Sequence, residues 1–568
     1  MKFKSLPLLN ARRYGAILLS VCLLSACQKD FLDRRLDTSY TDDQVFNSAG
    51  TMRDFGFGIY ASLPTGFGRL DGALLASASD ESVHAWPGSA VHRLVNGSWS
   101  SFNNPDDQWA ALYAGIRKAN LFLERSADYR RIVYRDTITE SGRTAYSNDT
   151  SDIGWLRAEA VALRAYFHFE LIKRYGGVPI VTTVMDEGKA PMLSRHTYDE
   201  CVDFVVSQLD SVTPYLRDSW RGFQSDRYLG RLTQGAAMAL KSRALLYAAS
   251  ALNNPGEDIS RWVDAAKAAH DVIQLNRYTL ATNYRDLFRA VDDGEMILER
   301  RYEASNSLER SSYPVGFEGA QGGTNPSQNL VDTYETINGL PITDDPAHDP
   351  QNPYANRDPR LQMTIIVNGS SYKGRTVQLW PGGLDGPGKP RATATGYYLK
   401  KFVDEGLDLL QNRTSNHNWI LFRYAEILLN YAEAMNEAYG PDVIPEGLTL
   451  SAREAVNQVR QRPGVDMPAA TDATQEALRA RIRNERRVEL AFEEHRFWDV
   501  RRWKIAAQTL GQPIRGVRVA LQPDGTYQYA IAPDAVQNRV FETKMYLYPI
   551  PRAEIEKTNG MITQNIGW

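Results

Sequence analysis

Apolar residues recur every three or four positions over several stretches of the chain, which is the pattern of helices that bury one face. This spacing predicts helices over 43–63, 106–126, 155–175, 197–216, 234–252, 260–275, 419–439 and 449–460. The last six ranges form three consecutive pairs, and the first member of each pair is rich in Ala and Tyr. Small residues at helical spacing let neighbouring helices approach closely. We therefore expect a mostly α fold, with a tetratricopeptide-like scaffold of about four helix pairs.

Two stretches, 64–105 and 300–400, lack this periodicity and are rich in Gly, Pro, Ser and Asn. Pairs such as Gly322-Gly323 and Asn338-Gly339 are typical of turns and hairpins. These stretches are predicted to form a loop-rich, irregular lobe with short strands on the helical scaffold. Binding residues tend to lie on loops that a rigid scaffold positions, so we expect function in this lobe.

The N-terminus has the features of an export signal. Four basic residues stand before an apolar run over 14–26, and no acidic residue precedes Asp30. This run is too short to span a bilayer, which takes roughly 20 apolar residues, but it suits a secretory signal. Leu24-Ser25-Ala26-Cys27 resembles a bacterial lipobox, in which the peptidase cuts before a Cys that carries a diacylglycerol. We therefore expect a signal peptide at 1–26, lipidation at Cys27 and a polar tether over 27–42.

Cysteine content and net charge argue against an internal disulfide and against a nucleic-acid partner. Of the three Cys, Cys22 lies in the predicted signal and Cys27 is the predicted lipid site, so only Cys201 remains and no internal disulfide is expected. The signal contains four of the 65 basic residues and none of the 68 acidic ones, which leaves the mature chain with a net charge of −7. A nucleic-acid binder needs a basic face, so this balance argues against a nucleic-acid partner.

No motif in the sequence points to catalysis. The eight His form no ligand-like cluster, there is no Gly-x-Ser-x-Gly elbow, and Glu493-Glu494-His495 lacks the spacing of a zinc-protease helix. A glycoside hydrolase needs two carboxylates about 5 to 10 Å apart, a pair that sequence alone neither identifies nor excludes. We expect a binding protein rather than an enzyme, with no cofactor and no metal ion.

A series of short motifs, in this order, resembles the SusD/RagB family of outer-membrane lipoproteins over nearly the whole mature chain. They include Ala78-Ser79-Asp80-Glu81 and Tyr175-Gly176-Gly177-Val178-Pro179. The most telling motifs are C-terminal: Arg423-Tyr424-Ala425-Glu426, Asn484-Glu485-Arg486-Arg487, Arg496-Phe497-Trp498-Asp499 and Tyr548-Pro549-Ile550-Pro551.

The resemblance implies a single SusD-like domain over 43–568, with four tetratricopeptide-like helix pairs under a variable loop region. It also implies a surface-exposed protein, lipid-anchored in the outer membrane, that binds an oligosaccharide or polysaccharide and delivers it to a SusC-type TonB-dependent transporter. One alternative keeps the fold and captures oligopeptides, as the RagB side of the family suggests. A less favoured alternative is a glycoside hydrolase attached to the same surface.

Most of the family-like residues have a simpler, structural interpretation. Ion pairs at helical spacing are expected among the charged residues Arg486, Arg487, Glu489, Glu493 and Arg496. Trp498 and Trp503 are expected to be buried, because large aromatic side chains contribute heavily to cores. Asp80 and Glu81 are adjacent and do not share a face, so they are interpreted as capping or salt-bridge residues rather than as an acid pair.

Sugars are bound by aromatic rings that stack on their C–H faces and by polar side chains that hydrogen-bond their hydroxyl groups. The aromatic residues of the two loop stretches that could do this are Trp86, Trp99, Tyr302, Tyr313, Phe317 and Trp380. The polar candidates beside them are Arg69, Asp71, His84 and Asn96. The alternative for each aromatic residue is that it fastens a loop to the scaffold. Trp86, which Pro87-Gly88 follows, is the strongest candidate for an exposed ring.

Overall fold

The structure is a computed structural model that describes residues 42–132, 136–185 and 192–568. The predicted signal peptide, the tether and the lipidation site Cys27 lie outside these residues. Among the described residues, no helix is long and apolar enough to cross a membrane.

Ten helices of eight or more residues account for most of the described regular structure. They are α1 (Ala49–Phe57), α2 (Trp109–Arg125), α3 (Glu140–Tyr175), α4 (Tyr198–Val212), α5 (Gln234–Ala249), α6 (Ile259–Gln274), α7 (Tyr424–Tyr439), α8 (Ala452–Arg460), α9 (Gln475–Glu489) and α10 (His495–Arg502). Shorter α-helices span Asp42–Phe46, Val91–Val95, Tyr129–Ile132, Tyr284–Leu287, Ser307–Ser312, Gln328–Val331, Arg360–Thr364, Ala506–Thr509 and Arg552–Lys557. Single 3₁₀ turns span Gly58–Ser62, Leu75–Ala78, Thr213–Tyr215, Asp226–Tyr228 and Thr543–Tyr546.

The helices from α2 to α8 stack in chain order, each against the one before it. Local sequence fixes several of their ends. Thr197 and Ser451 are the N-cap residues that precede α4 and α8, and each forms a capping box. The side chain of the N-cap accepts a hydrogen bond from the backbone N–H of a Glu three residues later, and the side chain of that Glu accepts one from the backbone N–H of the N-cap. Gly440, at φ 85°, ends α7. The mostly α, helix-pair scaffold predicted from periodicity is confirmed.

Two helix boundaries differ from the prediction. Helix α3 begins at Glu140 rather than at 155, because its first turns are mostly exposed and carry no apolar stripe for periodicity to detect. Helix α7 begins at Tyr424 rather than at 419, because Asn418–Arg423 is a strand. A short apolar run such as Trp419-Ile420-Leu421-Phe422 does not distinguish a strand from a buried helix.

Within the described residues, the strands are short and form five antiparallel two-stranded sheets. In chain order they are β1 (Ser82–His84), β2 (Met296–Arg301), β3 (Thr324–Pro326), β4 (Ile365–Ile366), β5 (Ser371–Tyr372), β6 (Arg375–Thr376), β7 (Tyr398–Leu399), β8 (Asn418–Arg423), β9 (Val517–Leu521) and β10 (Tyr527–Ile531). The pairs are β1 with β3, β2 with β8, β4 with β7, β5 with β6, and β9 with β10. The loop-rich lobe with short strands is therefore present as predicted.

One hydrophobic core runs through the helical stack and continues under the lobe, from Phe46 to Ile562. A second, smaller cluster around Tyr313, Ile366 and Tyr398 lies within the lobe itself. Cys201 is fully buried on α4, and burial raises the pKa of its thiol to about 11, so it is a small core residue as predicted.

Buried charges join the C-terminal helices to the lobe. Glu489, the last residue of α9, forms ion pairs with Arg423 at 2.7 Å, Arg360 at 2.8 Å and Arg462 at 3.1 Å. All four side chains are at most 1% exposed. The three guanidinium groups hold the pKa of the Glu489 carboxyl well below its usual range, against the opposing effect of burial. Arg360 belongs to the lobe, so this cluster fixes the lobe to the helical stack.

The prediction that the C-terminal charged residues pair with one another at helical spacing was wrong. Helix α9 ends at Glu489, and the chain turns through Phe492 and Glu494, at φ 66° and 69°, before α10 begins. The pairs therefore form with distant segments: Arg487 and Arg496 each lie 2.8 Å from Asp80, and Glu493 pairs with Lys401 and Arg423. The salt-bridge role of Asp80 and the burial of Trp498 and Trp503 are confirmed.

Candidate functional site

Pairing of strands β1 and β3 brings the two predicted loop stretches together. Ser82, Val83 and His84 lie opposite Pro326, Asn325 and Thr324. The backbone N–H of Ala85 extends the contact with a 2.8 Å hydrogen bond to the carbonyl of Gly323. Residues more than 230 positions apart in sequence therefore share one surface.

Trp86 follows this junction and has a half-buried ring. Its indole N–H donates to the carbonyl of Gln321 at 3.0 Å. Gly72, at φ 89°, lies against one part of the ring, and a Cβ there would come within 2.5 Å of it. His92 reaches the carbonyl of Trp86 through its Nε2 atom at 2.8 Å. These contacts hold the ring in one orientation while leaving part of it open to solvent.

Arg391 lies above Trp86, with its guanidinium carbon 4.9 Å from the ring centroid. The same guanidinium donates to the side-chain oxygen of Gln321 at 2.8 Å. Arg391 is exposed, has a left-handed backbone at φ 61°, and forms no ion pair with any described residue. We call the set Trp86, His92, Gln321 and Arg391 the aromatic ledge.

Two of the predicted polar candidates, Asp71 and Asn96, are exposed and lie in the same loop stretch as Trp86. Asp71, at φ 50°, accepts a 3.2 Å hydrogen bond from the backbone N–H of Ala90 and remains exposed. Asn96 is also exposed, and its side-chain oxygen accepts from the backbone and hydroxyl of Ser98. Both residues retain polar atoms that a ligand could reach.

Four of the predicted ligand-binding residues have buried side chains: Trp99, Tyr313, Arg69 and His84. Trp99 is 5% exposed and packs against Tyr548 and Trp568, so it fastens the first loop stretch to the C-terminus. Tyr313 is 1% exposed, and its hydroxyl donates to the carbonyl of Asp404. Both rings are buried core residues, which agrees with the alternative that they fasten loops to the scaffold.

The buried polar candidates are Arg69 and His84. The side chain of Arg69 is 6% exposed and forms ion pairs with Asp106 and Glu494, each at 3.1 Å. His84 is 2% exposed and packs edge-on to Trp86, with ring centroids 4.9 Å apart. Burial lowers the pKa of its imidazole to about 4, so the ring is neutral at pH 7. Both residues support the loop from beneath rather than presenting donors to solvent.

The half-buried Tyr302 and Phe317 are both held by protein contacts. Tyr302 donates to the carbonyl of Thr65 and packs on Phe67, with ring centroids 5.9 Å apart. Phe317 carries the guanidinium of Arg375 over its ring at 3.7 Å. Like Trp86, both rings are half-buried, and the guanidinium over Phe317 lies closer to its ring than that of Arg391 does to Trp86, at 4.9 Å.

Trp380 belongs to a second aromatic surface, which includes a hairpin that periodicity missed. Its ring lies 5.1 Å from that of Tyr527 on β10, with the planes 35° apart, and both rings are half-buried. Tyr529 follows on the same face of the strand, and its hydroxyl accepts from the amide of Asn368 at 3.1 Å. The alternating Val517–Leu521 and Tyr527–Ile531 around Gly525 were the sequence signal for this hairpin.

Within the described ranges, no three His, Cys, Asp or Glu side chains lie close enough together to hold a metal ion. Both ring nitrogens of His92 already contact protein groups, the Trp86 carbonyl and the Gln537 side chain. The ledge therefore presents an amide and a guanidinium beside an indole, which are groups that can stack on a ligand and hydrogen-bond to it.

Two family models match the chain. Residues 294–568 match the model described as the SusD family, and residues 30–246 match one described as starch-binding and associating with the outer membrane. A SusD-like protein P38 from Formosa agariphila is 26% identical over 536 residues, which cover 88% of this chain and 92% of that protein.

Solved structures of similar proteins have the same fold. A SusD-like protein from Bacteroides fragilis superposes with a TM-score of 0.75 and 30% identity, over 93% of this chain and 99% of that one. A SusD-like carbohydrate-binding protein from the same organism gives 0.74 at 24% identity, over 91% and 99%. A surface glycan-binding protein A from Bacteroides fluxus gives 0.62 at 20% identity, over 91% and 99%, and supports the fold alone. The helix-pair scaffold, the lobe built on it and these matches together show that the chain belongs to the SusD family.

Proposed function

We propose that this protein captures an oligosaccharide on its aromatic ledge and delivers it to a SusC-type TonB-dependent transporter, without cleaving it. In this proposal Cys27 carries the lipid that anchors the chain to the outer membrane, and 43–568 act as one domain on the outer surface. The observation that carries the proposal is the ledge itself. There the oriented, partly open indole of Trp86 lies beside the exposed guanidinium of Arg391, which forms no ion pair with any described residue.

The chemistry of the ledge suits a saccharide. The Trp86 ring offers an apolar face to sugar C–H groups, while Arg391 and the exposed Asp71 offer a donor and an acceptor for hydroxyl groups. Because Gln321 fixes both Trp86 and Arg391, little side-chain entropy is lost when a ligand binds. Trp380 with Tyr527 supplies a second stacking surface for a longer chain.

The peptide-binding alternative needs a different surface. An extended peptide is held mainly by backbone hydrogen bonds to an open strand edge, in a deep cleft. The ledge contains an aromatic ring and long polar side chains, which favour a sugar. The family model that matches residues 30–246 is described as starch-binding, which supports the same choice.

The proposal is tested with the lipid-free chain, residues 28–568, by equilibrium binding to a panel of soluble polysaccharides beside a mixed oligopeptide pool. Saturable binding to one glycan class is expected. Binding to peptides alone would replace the proposal with the alternative, and binding to neither would overturn it. Products released from the bound glycan during incubation would show a hydrolase instead.

A further inference from the structure

A cavity of about 290 Å³ lies outside the ledge, between the 3₁₀ turn Gly58–Ser62, the loop 227–231 and the end of strand β2. Its volume is near the lower limit of small-ligand sites, roughly 300 Å³. The half-buried aromatic residues Phe57 and Tyr60 form part of its wall, and Arg227, Arg300 and Arg301 form another part. The cavity shares no lining residue with the ledge.

The described hydrogen bonds of these arginines go to hydroxyl and carbonyl oxygens, and only Arg301 lies near an acidic side chain, that of Glu299. Arg227 donates to the hydroxyl of Tyr228 at 2.7 Å, and Arg300 donates to the carbonyl of Leu63. The Nη1 atom of Arg301 is buried and has no hydrogen-bond partner among the described residues. None of the three forms an ion pair with a described residue. A buried charged donor left without a partner destabilises the folded protein.

Arg231 lines the same cavity but, unlike the three arginines above, forms ion pairs within the protein. It forms ion pairs with Asp152 and Glu159, both at 2.7 Å, and its charge is therefore balanced within the protein. Arg360 and Arg423 in the core are balanced by carboxylates in the same way, whereas the buried Arg357 and Arg539 are held by backbone carbonyls. Three guanidinium groups without an ion pair line this small cavity beside a single carboxyl, that of Glu299, and this excess of positive charge points to a ligand that supplies negative charge.

We propose that this cavity, the arginine pocket, binds a saccharide unit through an oxyanion, either a sulfate ester or a carboxylate. The planar fork of a guanidinium matches two oxygens of such a group and binds them bidentately. The faces of Phe57 and Tyr60 would lie against the C–H groups of the same unit. The site is separate from the ledge, so it stands whether or not the ledge binds a neutral glycan.

Glu299 is the one acidic side chain lining the pocket, and it makes the affinity depend on pH. It is 7% exposed, and its carboxylate forms no hydrogen bond to another described side chain. Arg301 on its own strand lies near it, and Arg221, Asp292 and Arg277 approach it through the adjoining cavity. Burial raises the pKa of Glu299 to about 7. Protonation removes a repulsive charge and supplies a donor, so oxyanion binding becomes tighter from pH 8 to pH 6.

The test is calorimetric titration of residues 28–568 with sodium sulfate, sodium glucuronate and glucose at constant ionic strength. Saturable binding of sulfate, glucuronate or both is expected, with glucose silent. Binding of one anion alone assigns the pocket to that oxyanion, and binding of both assigns it to the shared chemistry. If neither anion binds saturably, or if glucose binds as well as glucuronate does, the proposal is overturned.

Substitutions in the arginine pocket test whether the anion binds there. Arg301→Gln should weaken the anion at least tenfold, while Arg117→Gln, an exposed arginine on α2, should leave it unchanged. Glu299→Gln should remove the change in affinity between pH 8 and pH 6. If Arg301→Gln unfolds the protein, Arg227→Gln, whose side chain is exposed, replaces it with the same expected loss. Unchanged affinity in a folded Arg301 or Arg227 variant would overturn the proposal.

Discussion

At the scale of single residues, burial separates aromatic side chains that look alike in sequence. Trp86 and Trp99 both stand among Gly, Ser and Asn, yet one ring is partly open and the other is core. The difference comes from Tyr548 and Trp568, which cover Trp99 from the far end of the chain. No local pattern carries that information, so sequence could propose a set of candidates but could not choose among them.

Trp99→Ala is predicted to lower the free energy of unfolding by about 3–5 kcal/mol, because it empties a packed core position. Trp86→Ala should cost only about 1–2 kcal/mol, because half of that ring is already in water. Urea unfolding of both variants measures the difference. Equal losses would mean that Trp86 is also a core residue.

Glu81 is predicted to make stability fall as pH rises. It is 1% exposed beside Asp80, and burial together with that neighbouring charge raises the pKa of its carboxyl to about 8. Between the unfolded pKa, about 4.3, and 8, the folded state holds a proton that the unfolded state releases. Stability is therefore lost across this window and levels off above it.

In Glu81→Gln this source of pH dependence is absent. The free energy of unfolding of the variant relative to the wild type should rise by up to about 1.4 kcal/mol per pH unit between pH 5 and pH 8. Urea unfolding at pH 5, 7 and 9 measures it. A constant difference across the three pH values would show that Glu81 keeps an ordinary pKa.

At the scale of elements, helices with an apolar stripe were predictable and the exceptions have physical causes. The start of α3 is mostly exposed, and β8 is a short apolar run that pairs with β2. The ion pairs of α9 and α10 were assigned to the wrong partners, because the chain bends between the helices at two residues with positive φ. Periodicity detects a buried face but not the distant segment that covers it.

Glu489→Ala is predicted to lower the free energy of unfolding by about 3–5 kcal/mol, because it leaves Arg360, Arg423 and Arg462 buried with fewer acidic partners. A matched control is Glu556→Ala, which removes an exposed pair with Arg552 and should cost less than about 1 kcal/mol. Chemical unfolding of the two variants gives the comparison. A loss for Glu489→Ala as small as that of the control would show that the cluster contributes little to holding the lobe on the helices.

At the scale of the whole molecule, the helical scaffold contains most of the hydrophobic core, and the lobe contains the proposed binding surface. The family and the fold class were predictable, because ordered motifs and helical spacing extend over most of the chain. The ledge was predictable only in part. The sequence proposed Trp86 as a candidate, whereas Arg391 and Gln321 lie far from it in sequence and are brought to it by the pairing of β1 with β3. The hairpin that carries Tyr527 was missed altogether.

The most direct test of the central claim is a side-by-side binding titration. The wild-type chain, Trp86→Ala, Arg391→Gln and the control Tyr215→Ala, an exposed aromatic residue on the scaffold, are titrated with the glycan class that the panel identifies. The account predicts at least tenfold weaker binding for the two ledge variants and unchanged binding for Tyr215→Ala, with all four proteins folded. Wild-type affinity in both ledge variants would contradict it and place the glycan elsewhere on the protein.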